Sequence, residues 1–100
     1  MIKVSVLYGH PTDPEAFEHH YANKHVPLAA RMQGVARFEA SRVVGTPDGG
    51  QPPYYRMAEL WFDSQEAMQA SMGSAEGQET VADIGNFATG GATVIVGEID

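Results

Sequence analysis

The chain has 100 residues, the size of one ordinary domain, and its 43% hydrophobic and 19% charged residues are typical of a globular protein. It contains no cysteine, which excludes a disulfide framework, thiolate metal ligation and a cysteine nucleophile. Thirteen acidic residues against six Lys and Arg give a net charge of −7, so the chain lacks the basic patch that nucleic acid or an anionic membrane requires.

Targeting signals are also absent from the sequence. No apolar run approaches the ~20 residues of a membrane span, and the N-terminal segment has no apolar signal-peptide core. We therefore expect one cytoplasmic, soluble domain over residues 1–100, with neither a nucleic-acid nor a membrane partner.

The N-terminal part of the chain predicts a strand followed by a kinked helix. Apolar and polar residues alternate over Ile2–Tyr8, which is typical of a strand. Thr12 or Asp13 is suitably placed to cap a helix. That helix should end or kink near Lys24–Val26, because Pro27 disfavours helical geometry in the residue before it, and then resume briefly.

The rest of the chain predicts three further strands and two short helices. In order, they are strand Val35–Val44, a Gly- and Pro-rich loop Gly45–Pro53, strand Tyr54–Phe62, a helix capped by Asp63 or Ser64, a second helix capped by Ser74, and strand Ala92–Ile99. The order β-α-β-β-α-β, with a split second helix, predicts the ferredoxin-like α+β fold, in which helices cover one face of an antiparallel sheet.

The other face of that sheet should be polar if it meets water. Alternation instead predicts apolar residues on both faces of the third strand. It places Tyr55, Met57 and Trp61 on the side opposite Ala58 and Leu60. A sheet with two apolar faces needs a partner surface, and the simplest partner is a second copy of the chain related by a two-fold axis. The sequence therefore predicts a homodimer formed through the sheet face.

Several segments, in this order and spacing, resemble the EthD family, whose name comes from the degradation of an ether fuel alongside a cytochrome P450. They are Ile2–Tyr8, the motif Phe17-x-x-x-Tyr21-x-x-x-His25-x-Pro27, Ala58–Ser64, Ser74–Gly77 and Ala82–Phe87. The resemblance implies a dimeric α+β barrel with a ligand cavity between sheet and helices in each protomer. Related barrels include cofactor-free monooxygenases, polyketide cyclases, lactone isomerases and haem-handling enzymes, and the fold does not choose among them.

His25 and Tyr21 are the candidate catalytic residues. An imidazole titrates near neutral pH and can therefore move a proton under cellular conditions. Tyr21 lies one helical turn before His25, on the same face, and could hydrogen-bond to it or share its pocket. The resemblance supports both residues through the Tyr-x-x-x-His-x-Pro motif. The alternative is a structural histidine bonded to a backbone carbonyl that Pro27 leaves free.

Six further residues are candidate ligand contacts: Phe17, Met57, Trp61, Asp83, Asn86 and Phe87. Aromatic and Met side chains suit an adaptable apolar pocket. Asp83 could orient His25, and Asn86 could donate a hydrogen bond to an anionic intermediate. The alternatives are core packing for Phe17, the dimer interface for Trp61, and turn or capping roles for Asp83 and Asn86.

A metal site is not expected. His10, His19 and His20 do not stand at a ligand spacing, and adjacent helical positions point about 100° apart. We interpret His19 and His20 as solvated residues of a helix surface.

Three functional hypotheses remain open. One is an enzyme that needs no cofactor and uses His25 as acid or base on an apolar or aromatic small molecule, as an oxidoreductase of the monooxygenase kind or in cyclisation or isomerisation. The second is a non-catalytic accessory protein that binds such a molecule for an oxidative degradation system. The third is a haem-handling barrel with His25 as axial ligand.

Overall fold

Four strands form one antiparallel sheet in the computed structural model, which describes residues 1–100. They are β1 (Ile2–Tyr8), β2 (Arg37–Arg42), β3 (Arg56–Phe62) and β4 (Ala92–Glu98), in the order β2-β3-β1-β4. Helices pack on one face. This arrangement confirms the ferredoxin-like α+β prediction.

The helical segments follow the predicted cap residues. They are α1 (Pro14–His20), a π-helical turn (Tyr21–His25), α2 (Val26–Ala29), α3 (Gln65–Gly73), α4 (Ala75–Asp83) and a 3₁₀ turn (Ile84–Asn86). Asp13 rather than Thr12 caps α1, and Ser64 rather than Asp63 caps α3, because their side chains accept the backbone N–H three residues on. No helix is long and apolar enough to cross a bilayer.

The kink expected at Pro27 takes the form of a π-helical turn. The backbone N–H of Val26 donates to the carbonyl of Tyr21, five residues back, so the helix continues with a wider turn instead of ending. Pro27 has no N–H to offer to an α-helical ladder, which favours such a local rearrangement. Single π-turns inside helices occur frequently at functional sites. Here the turn spans the segment from Tyr21 to His25.

The core lies between the helices and the even-numbered residues of β1 and β3. Val4, Tyr8 and Phe62 are almost fully buried there, together with Phe17 from α1. The alternation of β1 that predicted a strand is thus also the alternation between the core and the outer face of the sheet.

Tyr55 corrects the predicted limits of the third strand. The strand begins at Arg56, so Tyr55 does not share a face with Met57 and Trp61. Its hydroxyl donates to the Glu18 carboxylate of α1 at 2.9 Å, which places the side chain among the helices. The second strand is also shorter than the predicted Val35–Val44.

The outer face of the sheet is mixed rather than apolar, which corrects a second expectation. Trp61 lies there beneath the cationic groups of Arg37 and Lys3, at 5.0 and 5.8 Å from its ring centroid. Lys3 also pairs with Glu59 at 3.0 Å. Ile95 on the same face is 52% exposed, so apolar surface does remain uncovered in the single chain.

Candidate functional site

A narrow apolar cleft runs between the helices and the sheet and encloses about 40 Å³. Its walls come from helices α2, α3 and α4, the π-turn, the 3₁₀ turn and strands β1 to β3. The polar groups that reach it are the imidazole of His25, the hydroxyl of Thr80 and the phenols of Tyr8 and Tyr21; the other lining residues are Val4, Val6, Ala29, Met32, Phe38, Ala58, Leu60, Met72, Val81 and Ile84. Its lining, apolar with a few polar groups, has the chemistry of a small-molecule site, although the enclosed space is much smaller than a typical ligand pocket.

His25 is held at the edge of this cleft by the carboxylate of Asp83. The π-turn brings the imidazole to the core side of its helix, where the residue is only 5% exposed. Its Nδ1 lies 3.0 Å from Oδ2 of Asp83, and its Nε2 lies 3.5 Å from the Tyr8 hydroxyl. An ionised carboxylate only accepts, so the proton belongs on Nδ1 and Nε2 presents a lone pair. Burial lowers the pKa of His25, although Asp83 opposes the shift.

The carboxylate of Asp83 connects the polar side chains of the site through hydrogen bonds. The residue comes from the last turn of α4, is 3% exposed, and accepts hydrogen bonds from three side chains. The Nε2 atom of His20 lies 2.9 and 3.0 Å from its two oxygens, and the amide of Asn86 donates to Oδ1 at 3.0 Å. Burial opposes the charge, but these bonds together with that of His25 outweigh it and lower the pKa of the Asp83 carboxyl.

Two phenols complete the polar lining. Tyr8 is fully buried, and burial raises the pKa of its hydroxyl, so it stays protonated. Burial also raises the pKa of Tyr21 to about 12, even though the Arg56 guanidinium lies 4.7 Å from its ring centroid. The Tyr21 hydroxyl is buried and has no hydrogen-bond partner in the protein. Since an orphaned buried hydroxyl costs about 1–3 kcal/mol, this group calls for an explanation.

The structure brings most of the predicted site residues together. Tyr21, His25 and Asp83 are adjacent, and Asn86 bonds to Asp83. The Phe87 ring lies 4.7 Å from the His25 ring. Phe17 stacks against Tyr21 in the core without lining the cleft.

Met57 and Trp61 do not belong to this cleft, which corrects their prediction as pocket residues. Their register partners on β1 are Leu7 and Lys3, on the outer face of the sheet. Side chains alternate along a strand, so residues that flank the buried Ala58 and Leu60 must point away from the helices.

Two residues of the site escaped the sequence analysis. Tyr8 is the last residue of β1 on its core face, and a phenol at the buried end of a strand is the signal that could have revealed it. His20 is not the solvated residue that was expected, because it is bonded to Asp83, 63 positions away in sequence. No local pattern indicates such a contact. His19, by contrast, is exposed, and its only hydrogen-bond partner among the side chains is Asn23.

Solved structures of similar proteins share this architecture. An ethyl tert-butyl ether degradation (EthD) family protein from Bacillus halodurans is 35% identical, with a TM-score of 0.93 over 100% of this chain and 99% of that one. At 14% and 12% identity, a cofactor-independent oxygenase from Streptomyces nogalater (98% and 90% covered, TM-score 0.66) and a dimeric ferredoxin-like protein from Thermobifida fusca (98% and 90%, TM-score 0.73) share the fold alone.

Sequence comparisons identify a similar protein and a matching family model. An uncharacterized 11.0 kDa protein in the thcB-thcC intergenic region of Rhodococcus erythropolis is 42% identical over 95% of this chain and 91% of its own length. The family model for the EthD domain matches residues 9–91, which include the π-turn, Asp83 and Asn86. This chain therefore belongs to the EthD family.

Proposed function

We propose that this EthD-family protein is an acid–base enzyme that removes a proton from a small apolar or aromatic molecule bound in the sheet–helix cleft. One observation carries the proposal: His25 lines the cleft with its Nε2 atom 3.5 Å from the Tyr8 hydroxyl, while its Nδ1 is held 3.0 Å from the carboxylate of Asp83. A carboxylate in this position fixes the tautomer and stabilises the imidazolium that forms.

The two phenols supply the second half of the chemistry. Removing a proton next to a carbonyl, or from a phenol, leaves negative charge on an oxygen of the substrate. The Tyr21 hydroxyl, which has no partner in the protein, can donate to that oxygen, and the Tyr8 hydroxyl lies beside Nε2 of His25. Donors placed where charge develops stabilise the transition state.

The walls of the cleft favour a small, largely apolar substrate. The volume of about 40 Å³ is close to the space of one water molecule, so a substrate must displace side chains as it enters. Met32 and Met72 are unbranched and adaptable. Phe38, which is 37% exposed, separates the cleft from an apolar surface groove of about 340 Å³ between α2 and β2. A porphyrin does not fit this space, which disfavours the haem hypothesis.

Oxygenation is one reaction that can follow removal of the proton by His25. An electron-rich carbanion or phenolate can react with oxygen without a cofactor, and the likeness in fold to a cofactor-independent oxygenase supports this oxidoreductase route. Cyclisation and isomerisation begin with the same proton transfer.

A non-catalytic binding protein is the second candidate. The unpartnered Tyr21 hydroxyl favours it equally, since a free donor on a residue that lines the cleft serves binding as well as catalysis. In that case His25 would be needed for neither affinity nor turnover.

Turnover of nitrobenzisoxazole, a small aromatic probe whose C–H proton is removed by a base as its N–O bond breaks, separates the two candidates. We expect saturable turnover by the wild-type protein, faster than with free imidazole at the same concentration. Saturable binding without turnover would favour the binding protein. A wild-type protein that does not bind the probe and does not turn it over would contradict the proposal.

Replacing Tyr21 by phenylalanine should separate stability from function. Removal of an orphaned buried hydroxyl is expected to leave the free energy of unfolding unchanged or to raise it by about 1 kcal/mol. Turnover of the probe should fall roughly tenfold, because one hydrogen bond to the developing anion is lost. Urea unfolding and probe kinetics measure the two effects. Tyr54→Phe is the matched control, and equal effects of the two changes on turnover would argue against a role for Tyr21.

We further propose that two protomers join through the outer face of the sheet, which carries Trp61, Met57 and the half-exposed Ile95. The likeness to a dimeric ferredoxin-like protein supports this. Native mass spectrometry should give twice 10.8 kDa. Ile95→Lys should shift the protein towards monomer, whereas Val44→Lys, in an exposed loop, should not. A monomer for the wild-type protein would contradict the dimer.

A further inference from the structure

Two imidazoles bind the same carboxylate from opposite sides. His25 approaches Asp83 from the cleft, and His20 approaches it from the surface. The His20 side chain is 24% exposed, against 7% for His25 and 3% for Asp83. The carboxylate therefore links the buried base by hydrogen bonds to a ring that meets water.

His20 lines an open groove of about 650 Å³ on the surface, formed by α1 with the two residues before it and by the segment that follows α4. Its ring stacks on Phe87, with centroids 5.2 Å apart and planes at 25°, and the same Phe87 lies against His25. Both hydrogen bonds of the ring come from Nε2 and reach Asp83, so Nδ1 remains available to solvent in the groove.

One carboxylate can balance one positive charge. Asp83 stabilises a positive charge on either imidazole. Protons on both imidazoles place two positive charges beside the same carboxylate, and their mutual repulsion is unfavourable. The ring that meets water loses less hydration when charged than the buried ring does. When the pair holds one proton, the outer position of His20 therefore suits that charge better than the buried position of His25.

We propose that His20 is a positioning residue. When His25 gains a proton from the substrate, His20 releases a different proton into the surface groove. The N–H bond that forms at Nε2 of His25 uses the proton of the substrate. In the form of the pair in which His20 holds the proton, its N–H bond at Nδ1 then breaks, and that proton goes to water in the groove. Asp83 stays ionised, no proton crosses the carboxylate, and the net charge of the site is restored. The role in turnover rests on the proposed function, whereas the coupling of the two rings does not.

Other charged groups around the pair are too exposed to replace this coupling. Lys24 places its ammonium 4.0 Å from Asp83 but is 61% exposed. Asp13, Glu15 and His19 line the same open groove as His20. On the cleft side, His25 faces only the neutral hydroxyl of Tyr8 at hydrogen-bond range. Exposed charges are screened by water and salt, so they perturb the pair weakly.

An NMR titration of the histidine rings in the full chain tests the coupling without any substrate. We expect the pH at which His25 takes up a proton to rise by about one unit in His20→Gln, because the competing charge is gone. Lys24→Gln and His19→Gln should leave that pH nearly unchanged. An unchanged titration of His25 in His20→Gln would overturn the inference, as would a shift of equal size in Lys24→Gln.

The pH profile of probe turnover provides an independent reading. If the inference holds, the inflection assigned to His25 moves upward in His20→Gln by the same amount as in the NMR titration. A shift by NMR in a protein with no turnover would leave the coupling intact and overturn the proposed function instead. His20→Asn serves as the second variant if His20→Gln does not fold.

Discussion

Replacing His25 by glutamine is expected to reduce turnover of nitrobenzisoxazole about 100-fold or more. General-base catalysis by a positioned side chain contributes factors of about 100 to 10,000, and His25 is the only imidazole that lines the cleft. Glutamine retains an N–H group that can donate to Asp83 but has no basic nitrogen. The fold should therefore persist while the base is lost.

His19→Gln is the matched control, because His19 is exposed and has no contact with the cleft. Initial rates measured under saturating probe give the comparison, with circular dichroism to verify the fold of each variant. Turnover by the His25 variant within a few-fold of the wild-type rate would reject His25 as the base.

Replacing Asp83 by alanine should be the most destabilising single change at the site. The substitution leaves the donors of His20, His25 and Asn86 without their shared acceptor in a buried position. Removing one partner of a buried ionic group typically costs about 3–5 kcal/mol, and we expect about 3 kcal/mol here because His25 is neutral. Urea unfolding measures the loss.

Asp63→Ala, an exposed aspartate before α3, is the control and should change stability little. If Asp83→Ala does not fold, Asp83→Asn still removes the charge while keeping one acceptor oxygen. Stability equal to wild type in either Asp83 variant would show that the carboxylate is not the shared acceptor described above.

The stability of the wild-type protein should fall as the pH drops below about 6.5, the ordinary pKa of histidine. Burial lowers the pKa of His25 in the fold, so the unfolded chain takes up a proton first and gains stability relative to the native state. A second loss follows at more acid pH, below the ordinary 3.8 of aspartate, as Asp83 is protonated at its lowered pKa. Denaturant midpoints across this range measure both steps. The upper step should vanish in His25→Gln.

Alternating strand residues and helix-cap residues in the sequence were sufficient to predict most of the fold. The alternation of Ile2–Tyr8 predicted β1 with its observed limits, and Asp13, Ser64 and Ser74 capped helices as such residues do. The strands next to the loop after β2 were predicted too long. Tyr55 has a side chain typical of strands, but its hydroxyl is drawn to Glu18 on a helix, which is a tertiary contact.

The site was predictable only where its residues share one helix. Tyr21 and His25 stand four positions apart and face the same cleft, as that spacing indicates. The bond of His20 to Asp83 depends on how α1 and α4 pack, and adjacent histidines on a helix give no sign of which one turns inward. Trp61 was misplaced because its aromatic character suits a pocket and an interface equally, and only the sheet register decides between them.

In the proposed mechanism His25 is a neutral base with its proton on Nδ1, directed at Asp83, and an unprotonated Nε2 beside the Tyr8 hydroxyl. Nitrogen NMR of the wild-type protein near neutral pH tests this most directly, because the two ring nitrogens of a neutral imidazole differ according to which one is protonated. We expect a His25 ring with a protonated Nδ1 and an unprotonated Nε2. A ring protonated on Nε2, or on both nitrogens at that pH, would contradict it.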